Sequence, residues 1–404
     1  MRTRLPISVR PACMDDIPSL ARIGAQAFGG ETYRPEHSVE EIRQHWQAQF
    51  PPHNTLVAER DGALMGMATG IPLRTWVGGR ELPLLGVAGV AVGWEFRRQG
   101  VARTLMQALV RRGIDEGYTL MGLYPFRASF YQTHGFGSVE PEAAWDVPAT
   151  SLPDAKGDVR ELRDEDLPLV RAVHQRSVEQ GSFDVVREEW RWPQFWSASA
   201  ERMRIGAWED GNLAGYLIAR TGHSRLHVTE LVWTSVPALL SLLGFVRTLH
   251  DQYERVELRL PVDLSLLAAL REPHVGLDPG GFLATWRVQT TGMARLANVP
   301  KALQGRGYPS DASASARLVV AEPNGEETAW NWELENGSCH VSPGRAPGLP
   351  EVRLSSMTLA QWFLSTFSAT QLWRAGALRV DNASALPALD RAMAGPAPFC
   401  RERY

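Results

Sequence analysis

Hydrophobic spacing changes twice between Leu84 and Phe126, and each change predicts an element. Gly86–Val92 alternates small residues with valine and stops at Gly93, which reads as a strand. Beyond a turn holding Arg97, Arg98, Gln99, Gly100, Val101 and Ala102, apolar residues recur at Val101, Leu105, Leu109 and Val110. That is one face of an amphipathic helix running to about Gly113. Tyr118–Tyr124 is apolar again and predicts a second strand.

Two further patterns occur twice along the chain. VRPACMDDIPSLARI from Val9 returns as VRELRDEDLPLVRAV from Val159, each a short strand, an acidic turn able to cap a helix, a proline in the first helical turn and an apolar stripe. VAERDGALMGMA from Val57 returns as GAWEDGNLAGYL from Gly206, each two strands joined by Asp-Gly, a hairpin signature. The two offsets nearly coincide. The chain therefore reads as a mixed α/β module over 1–150 and a diverged copy over 151–288, joined by the linker Ser151–Asp158.

From 289 to 404 the texture changes. Met293–Pro309 reads as helical, Ala316–Val320 and Thr328–Leu334 as strands, and Thr358–Thr366 and Ala383–Met393 as helices, an α+β unit. A length of 404 residues exceeds what one core usually serves, in keeping with three units.

The formal charge of −3 gives no bulk electrostatic reason to expect nucleic acid or an anionic membrane as partner, so any basic site is local. Cys13, Cys339 and Cys400 are odd in number and far apart, which fits neither a disulfide framework nor a zinc site. A reducing compartment and no metal are expected. The N-terminal MRTRLPISVR has no apolar targeting segment and no run reaches the length of a membrane span, so the cytoplasm is the expected location. Fourteen tryptophans, several of them between Trp190 and Trp233, are read as packing.

The turn after Gly93 carries the chemistry. It ends at a helix N-terminus, where free backbone N–H groups and the macrodipole favour an anion. Gly100 permits close backbone approach, and Arg97, Arg98 and Arg103 add charge for phosphates. Arg97-x-x-Gly100-x-Ala102 between strand and helix resembles the coenzyme loop of the GNAT N-acetyltransferases. The resemblance implies acetyl-coenzyme A as cosubstrate, held by the backbone of Val90, Ala91 and Val92 and by Arg97, Arg98, Gln99, Gly100, Val101, Ala102, Arg103, Phe126 and Arg127. Phe130–Gly137, FYQTHGFG, is similar to the GNAT strand-to-turn segment whose tyrosine protonates the departing thiolate, and Tyr131 is the matching position.

The whole plan resembles the Eis acetyltransferases: two tandem GNAT-like mixed-sheet modules followed by a sterol-carrier-like α+β domain. The likeness is strongest over Leu82–Gly137 and weakest in the middle module. It implies a small-molecule or lysine-type amine as acceptor and a homo-oligomer, typically a hexamer. An alkyl ammonium must lose a proton before attack, at a cost of about 4–5 kcal/mol at neutral pH, yet GVAGVAV offers no carboxylate. In Eis enzymes the terminal carboxylate is the base, which maps to Tyr404. Glu402, Asp15, Asp16 and Glu31 are alternatives. The acceptor pocket is expected to draw on the loop Gly29–His37.

The counterpart of the coenzyme loop in the second module, LVWTSVPALLSLL near Leu231–Leu243, has neither arginine nor glycine and is expected not to bind coenzyme A. An acyl-coenzyme A or lipid carrier without transferase activity, and long-chain acyl transfer in the manner of the N-myristoyltransferases, are the competing readings.

Overall fold

The computed structural model describes residues 6–29, 39–41, 44, 52–197, 199, 201–271, 284–344 and 346–404. The repeat is visible as two matching sets of elements. The first set is β1 (Ser8–Pro11), α1 (Ile17–Phe28), β2 (Thr55–Arg60), β3 (Ala63–Val77), β4 (Arg80–Val92), α2 (Val101–Asp115), β5 (Leu120–Leu123), α3 (Ala128–Gln132) and β6 (Gly137–Pro148). The second is β7 (Asp158–Glu161), α4 (Leu167–Gln180), α5 (Trp192–Trp196), β8 (Arg202–Glu209), β9 (Asn212–Thr221), β10 (Arg225–Trp233), α6 (Val236–Thr248) and β11 (Arg255–Pro261).

Local chemistry repeats with them. Asp16 accepts a hydrogen bond from the Cys13 N–H, and Asp166 one from the Arg163 N–H, each at 2.8 Å, so the same acidic turn opens both α1 and α4. Asp61-Gly62 and Asp210-Gly211 all have positive φ (52°, 76°, 49° and 79°), the conformation a two-residue hairpin requires and Asp-Gly tolerates.

Strand β12 (Thr285–Leu296) then breaks the simple tandem picture. All twelve strands form one sheet, in the order β1-β2-β3-β4-β5-β12-β6-β11-β10-β9-β8-β7. Met293–Leu296 pairs antiparallel with β5, Thr285–Thr290 pairs with β6, and β6 in turn pairs antiparallel with β11. A strand that follows the second module thus completes the sheet of the first. Two expectations are corrected here. The 288/289 junction falls inside β12, and Met293–Leu296 is strand, the helix α7 being confined to Val299–Gly305. Asn298 caps that helix by accepting from the Lys301 N–H at 3.0 Å, and Pro300 sits in its first turn.

The remaining residues form a five-stranded sheet from β13 (Ala314–Ala321), β14 (Glu327–Glu335), β15 (Ser338–Pro343), β16 (Glu351–Ser355) and β17 (Leu378–Val380), ordered β15-β14-β13-β16-β17. Helices α8 (Ser356–Phe363), α9 (Ala369–Arg374) and α10 (Leu386–Ala392) accompany it. Trp332, Trp362, Phe363 and Leu318 are fully buried and share one core with Leu73, Leu84 and Leu120 of the first module. The N-terminal end of β6 is tied to the third unit by Gln361 Nε2 donating to the Ser138 carbonyl at 3.0 Å and by Thr366 Oγ1 donating to that of Val139 at 2.5 Å.

Candidate active site

Strand β4 pairs parallel with β5 only from Leu84↔Leu120 to Val87↔Leu123. Beyond that point β4 continues to Val92 paired with β3 only, and a bulge follows, where Gly89 takes φ +58° and the register with β3 slips between Met67 and Thr69. On the side toward β5 the backbone of Val90, Ala91 and Val92 therefore faces a slot rather than a neighbouring strand. A groove of about 750 Å³ runs from it, lined by these residues with Arg97, Arg98, Gly100, Val101, Ala102, Arg103 and Phe126.

The loop geometry is that of an anion cradle. Arg98 and Gly100 are both left-handed (φ 62° and 85°), and nothing lies within 4 Å of where a Gly100 side chain would begin. Helix α2 starts directly at Val101 with no side-chain cap, so its first N–H groups are left for a ligand. Arg97, Arg98 and Arg103 are exposed and have no acidic partner among the described residues. A pyrophosphate fits this constellation, and a pantetheine arm fits the slot.

Not every expected residue lines the groove. The Gln99 side chain points back, donating to the Glu95 carbonyl at 3.0 Å and accepting from Arg60 at 3.1 Å. Arg127 is exposed ahead of α3 and lies off the groove. Tyr131 lies in the short helix α3, not at a strand end, and is enclosed by Phe126, Phe130 and Phe136 at centroid distances of 5.5, 5.0 and 6.3 Å. Burial pushes its phenol up to about 12, so it remains a proton donor across the physiological range. Sequence reasoning missed the opposite wall, Gln26, Ala27 and Phe28 of α1 with Trp94, Phe96 and Phe130. Trp94 Nε1 donates to the Gln26 carbonyl at 2.8 Å, and no local pattern foretells that contact.

The C-terminal tail runs between the two modules. The Phe399 N–H donates to the Ser182 carbonyl (3.0 Å), the Cys400 N–H to Glu140 (2.9 Å) and the Arg401 N–H to Asp184 (3.0 Å). Glu402 is buried in ion pairs with Arg187 and with Arg191 (2.8 Å), and the Arg403 carbonyl accepts from Arg191 at 2.9 Å. Arg187 also binds Glu230 at 2.9 Å and lies against the rings of Trp192 and Phe195 at 4.5 and 3.8 Å.

This threading carries the Tyr404 ring into the first module. A Cβ added to Gly86 or to Gly122, which are direct partners on β4 and β5, would fall 2.8 Å or 2.5 Å from that ring and its hydroxyl. Both positions must be glycine for the ring to lie there. Tyr124 packs edge-on against it at 5.5 Å and donates to the Glu402 carbonyl at 3.0 Å.

The alternative bases fare differently. Glu402 is committed to two arginines, and Asp16 to Arg10 at 2.8 Å, which holds its carboxyl below the usual range. Asp15 is exposed, while Glu31 and residues 30–37 of the expected acceptor loop lie outside the described residues.

In the second module the equivalent junction is closed. Strand β10 passes straight into α6, where Ser235 Oγ accepts from the Ala238 N–H at 3.1 Å and donates to the Glu209 carboxylate at 2.5 Å. A side-chain cap and a carboxylate stand where the first module presents free N–H groups and arginines.

Comparison with known proteins agrees with this geometry. Acetyltransferase (GNAT) domain models match residues 8–139 and 184–296, and a sterol carrier protein domain model matches 299–401. The N-acetyltransferase Eis of Mycobacterium tuberculosis is 26% identical over 95% of this chain and 96% of its own length. An uncharacterized N-acetyltransferase of Streptomyces avermitilis is 24% identical over 89% and 90%. Among solved structures, a GCN5-related N-acetyltransferase from Anabaena variabilis superposes with a TM-score of 0.83 (22% identity, 99% and 100% covered). Eis1 from Mycobacterium abscessus gives 0.77 (20%, 98% and 100%). With an anion cradle at the head of α2 and a duplicated acetyltransferase sheet, the chain is an acetyltransferase built of two GNAT domains and a sterol carrier protein domain, and a homologue of the Eis N-acetyltransferases.

Proposed function

We propose that this acetyltransferase moves an acetyl group directly from acetyl-coenzyme A to a primary amine, with Tyr131 as general acid and the terminal carboxylate of Tyr404 as general base. The observation that carries the reading is the Tyr404 ring over Gly86 and Gly122, where β4 and β5 part. The coenzyme supplies an activated acyl group on a sulfur that can leave. The backbone of Val90–Val92 would hold its arm, and Arg97, Arg98, Arg103 and the N–H groups of α2 its phosphates.

The Tyr404 carboxylate takes one proton from the acceptor ammonium, freeing the nitrogen lone pair that forms the new C–N bond. As the C–S bond breaks, the Tyr131 hydroxyl gives its proton to the sulfur. Two protons leave the ammonium in all: the first passes through the Tyr404 carboxylate to solvent, and the second leaves the nitrogen as the tetrahedral intermediate collapses and restores the Tyr131 phenol, whose own proton has gone to the thiolate. A carboxyl of ordinary pKa is a weak base for an ammonium, so orientation of the amine is part of its role.

The second module, its cradle closed, serves to hold the tail rather than coenzyme. In the competing carrier reading the third unit would enclose a lipid, but the inner face of its sheet is filled by Trp332, Trp362 and Phe363. Assembly as a hexamer rests on the resemblance alone and is checked by light scattering, and a cytoplasmic location is checked by fractionation.

One alanine added after Tyr404, tested beside Tyr131→Phe, decides the chemistry. Both variants are expected to bind coenzyme A as the parent does and to lose about 10²–10⁴-fold in kcat on a panel of aminoglycoside, polyamine and lysine-type amines. Full activity of the extended chain moves the base to a side chain. No thiol release on any amine by the parent, with coenzyme still bound, removes the transferase reading.

A further inference from the structure

Three consecutive N–H groups of the tail each meet an acceptor on another element: Phe399 the Ser182 carbonyl, Cys400 the Oε1 of Glu140, and Arg401 the Asp184 carboxylate. Ser182 and Asp184 lie between α4 and α5 of the second module. Of the three acceptors only Glu140, on β6, belongs to the first.

Glu140 shares a face of the sheet with Tyr404. It pairs with Gly292 across β6 and β12, and a Cβ added to Gly292 would collide with Glu140 Oε2, so the carboxyl lies flat over that glycine. Two residues further along β12, Ala294 pairs with Gly122, over which the Tyr404 ring lies. Alternate residues of a strand share a face, so Gly86, Gly122 and Gly292 clear one strip of sheet for the ring and the carboxyl together.

The Glu140 carboxyl is 1% exposed, and its Oε2 has no hydrogen-bond partner among the described residues. The arginines of the tail and its clamp are spent elsewhere: Arg401 on Asp184, Arg403 on Glu142 at 3.6 Å, Arg187 and Arg191 on Glu402. The titratable groups that face Glu140 are Tyr124 of β5, Cys400 and Tyr404 of the tail, Glu142 on its own strand, and Asp184 of the second module. Every one of them is negative when charged. Burial, then the charges of Glu142 and Asp184, push the Glu140 carboxyl up to about 8 against the opposing Cys400 N–H, so it is neutral at pH 7.

Building on the terminal-base reading, we propose that Glu140 is a positioning residue for the transfer: by holding the tail at Cys400 it sets where the Tyr404 carboxylate stands. It acts through the tail and on no reacting atom. Ionised, the same carboxyl stands buried without a cation beside Glu142 and Asp184, and the tail is pushed from its seat.

Glu140→Ala and Glu140→Gln test this on the full chain with acetyl-coenzyme A and one amine that the parent turns over, beside the chain extended by one alanine after Tyr404. Glu140→Ala is expected to lower kcat about ten-fold or more with the KM for acetyl-coenzyme A unchanged, since a misplacement of about 1 Å costs up to about 100-fold. Glu140→Gln keeps an acceptor for the Cys400 N–H and is expected to recover most of that loss at pH 7. Ionisation of the amine is common to parent and variant and cancels in the ratio of their rates. The ratio of Glu140→Gln to parent is expected to rise about ten-fold from about pH 7 to about pH 9, because only the parent carboxyl acquires charge there. A flat ratio, or Glu140→Ala at the parent kcat, overturns the positioning role, while an inactive extended chain keeps the terminal base. If the alanine variant does not fold, the glutamine ratio decides alone. Full activity of the extended chain overturns both.

Discussion

The two GNAT modules begin from the same plan and end with opposite contents. In each, an acidic turn opens the first helix, an Asp-Gly hairpin follows, and a strand leaves its parallel neighbour part-way: β4 leaves β5 after Val87, and β10 leaves β11 after His227. The first module fills the junction to its next helix with a left-handed arginine and glycine and leaves the N–H groups bare. The second shortens that junction to Thr234-Ser235 and satisfies the helix with its own serine and Glu209. One scaffold thus yields an anion cradle or a sealed helix according to a few residues at one junction. In the second module Arg187 and Arg191 grip the tail through Glu402, and Glu230 braces Arg187.

That contrast breaks most sharply at Arg187. Arg187→Met leaves Glu402 and Glu230 buried beside one another without their shared partner, and stability is expected to fall by about 3–5 kcal/mol in urea unfolding, with turnover lost before coenzyme binding. If stability and turnover both hold, the second module is not the clamp.

Acid tests the same clamp more gently. His174, buried beside Trp192 and 3.9 Å from Glu230, is pushed down to about 4 by burial, then by the Arg187 charge. Folded, it stays neutral to about that pH, whereas the unfolded chain protonates it near its ordinary 6.5. The stability it confers is therefore complete above pH 6.5 and declines as pH falls toward 4, by about 3 kcal/mol at most. His134 of the first module, also pushed down to about 4, adds in the same direction. Urea midpoints across this range should flatten in His174→Gln, and an unchanged slope assigns the acid sensitivity elsewhere.

The junctions themselves differ in a way that binding reads directly. Arg97→Ala should weaken coenzyme A binding about ten-fold, by loss of a charge-assisted contact, and leave the melting temperature in place. Ser235→Ala should cost about 1 kcal/mol of stability through the lost cap and leave coenzyme affinity unchanged. Calorimetry on both variants checks the pair, and a coenzyme effect from Ser235→Ala erases the distinction drawn here.

Much of this was legible in the sequence because it is local. The cradle and α2 follow from glycine, arginine and apolar spacing within one stretch of chain, the role of Val90–Val92 from the family resemblance, and the duplicated turns carry their own capping residues. Contacts between distant segments were not legible. Nothing near Thr285–Leu296 marks it as the missing strand of the first sheet, because a strand is recognised by its own pattern and not by its partner. Glu402 was read as a possible base because its two arginines lie more than two hundred residues earlier. Tyr131 was found by motif, but its placement on a short helix depends on aromatic packing around it. Gln26–Phe28 became a wall of the groove only through the way α1 docks under Trp94.

Strand β12 also sets a timetable. During synthesis the first module emerges with β5 and β6 side by side in sequence but lacking the strand that joins them, and β5 keeps an open edge until residue 296 has left the ribosome. An open edge is a template for pairing with the wrong chain. The catalytic half of this enzyme therefore matures only after the second module has been made, and a gene fragment ending near residue 150 would encode a sheet with a gap in its middle.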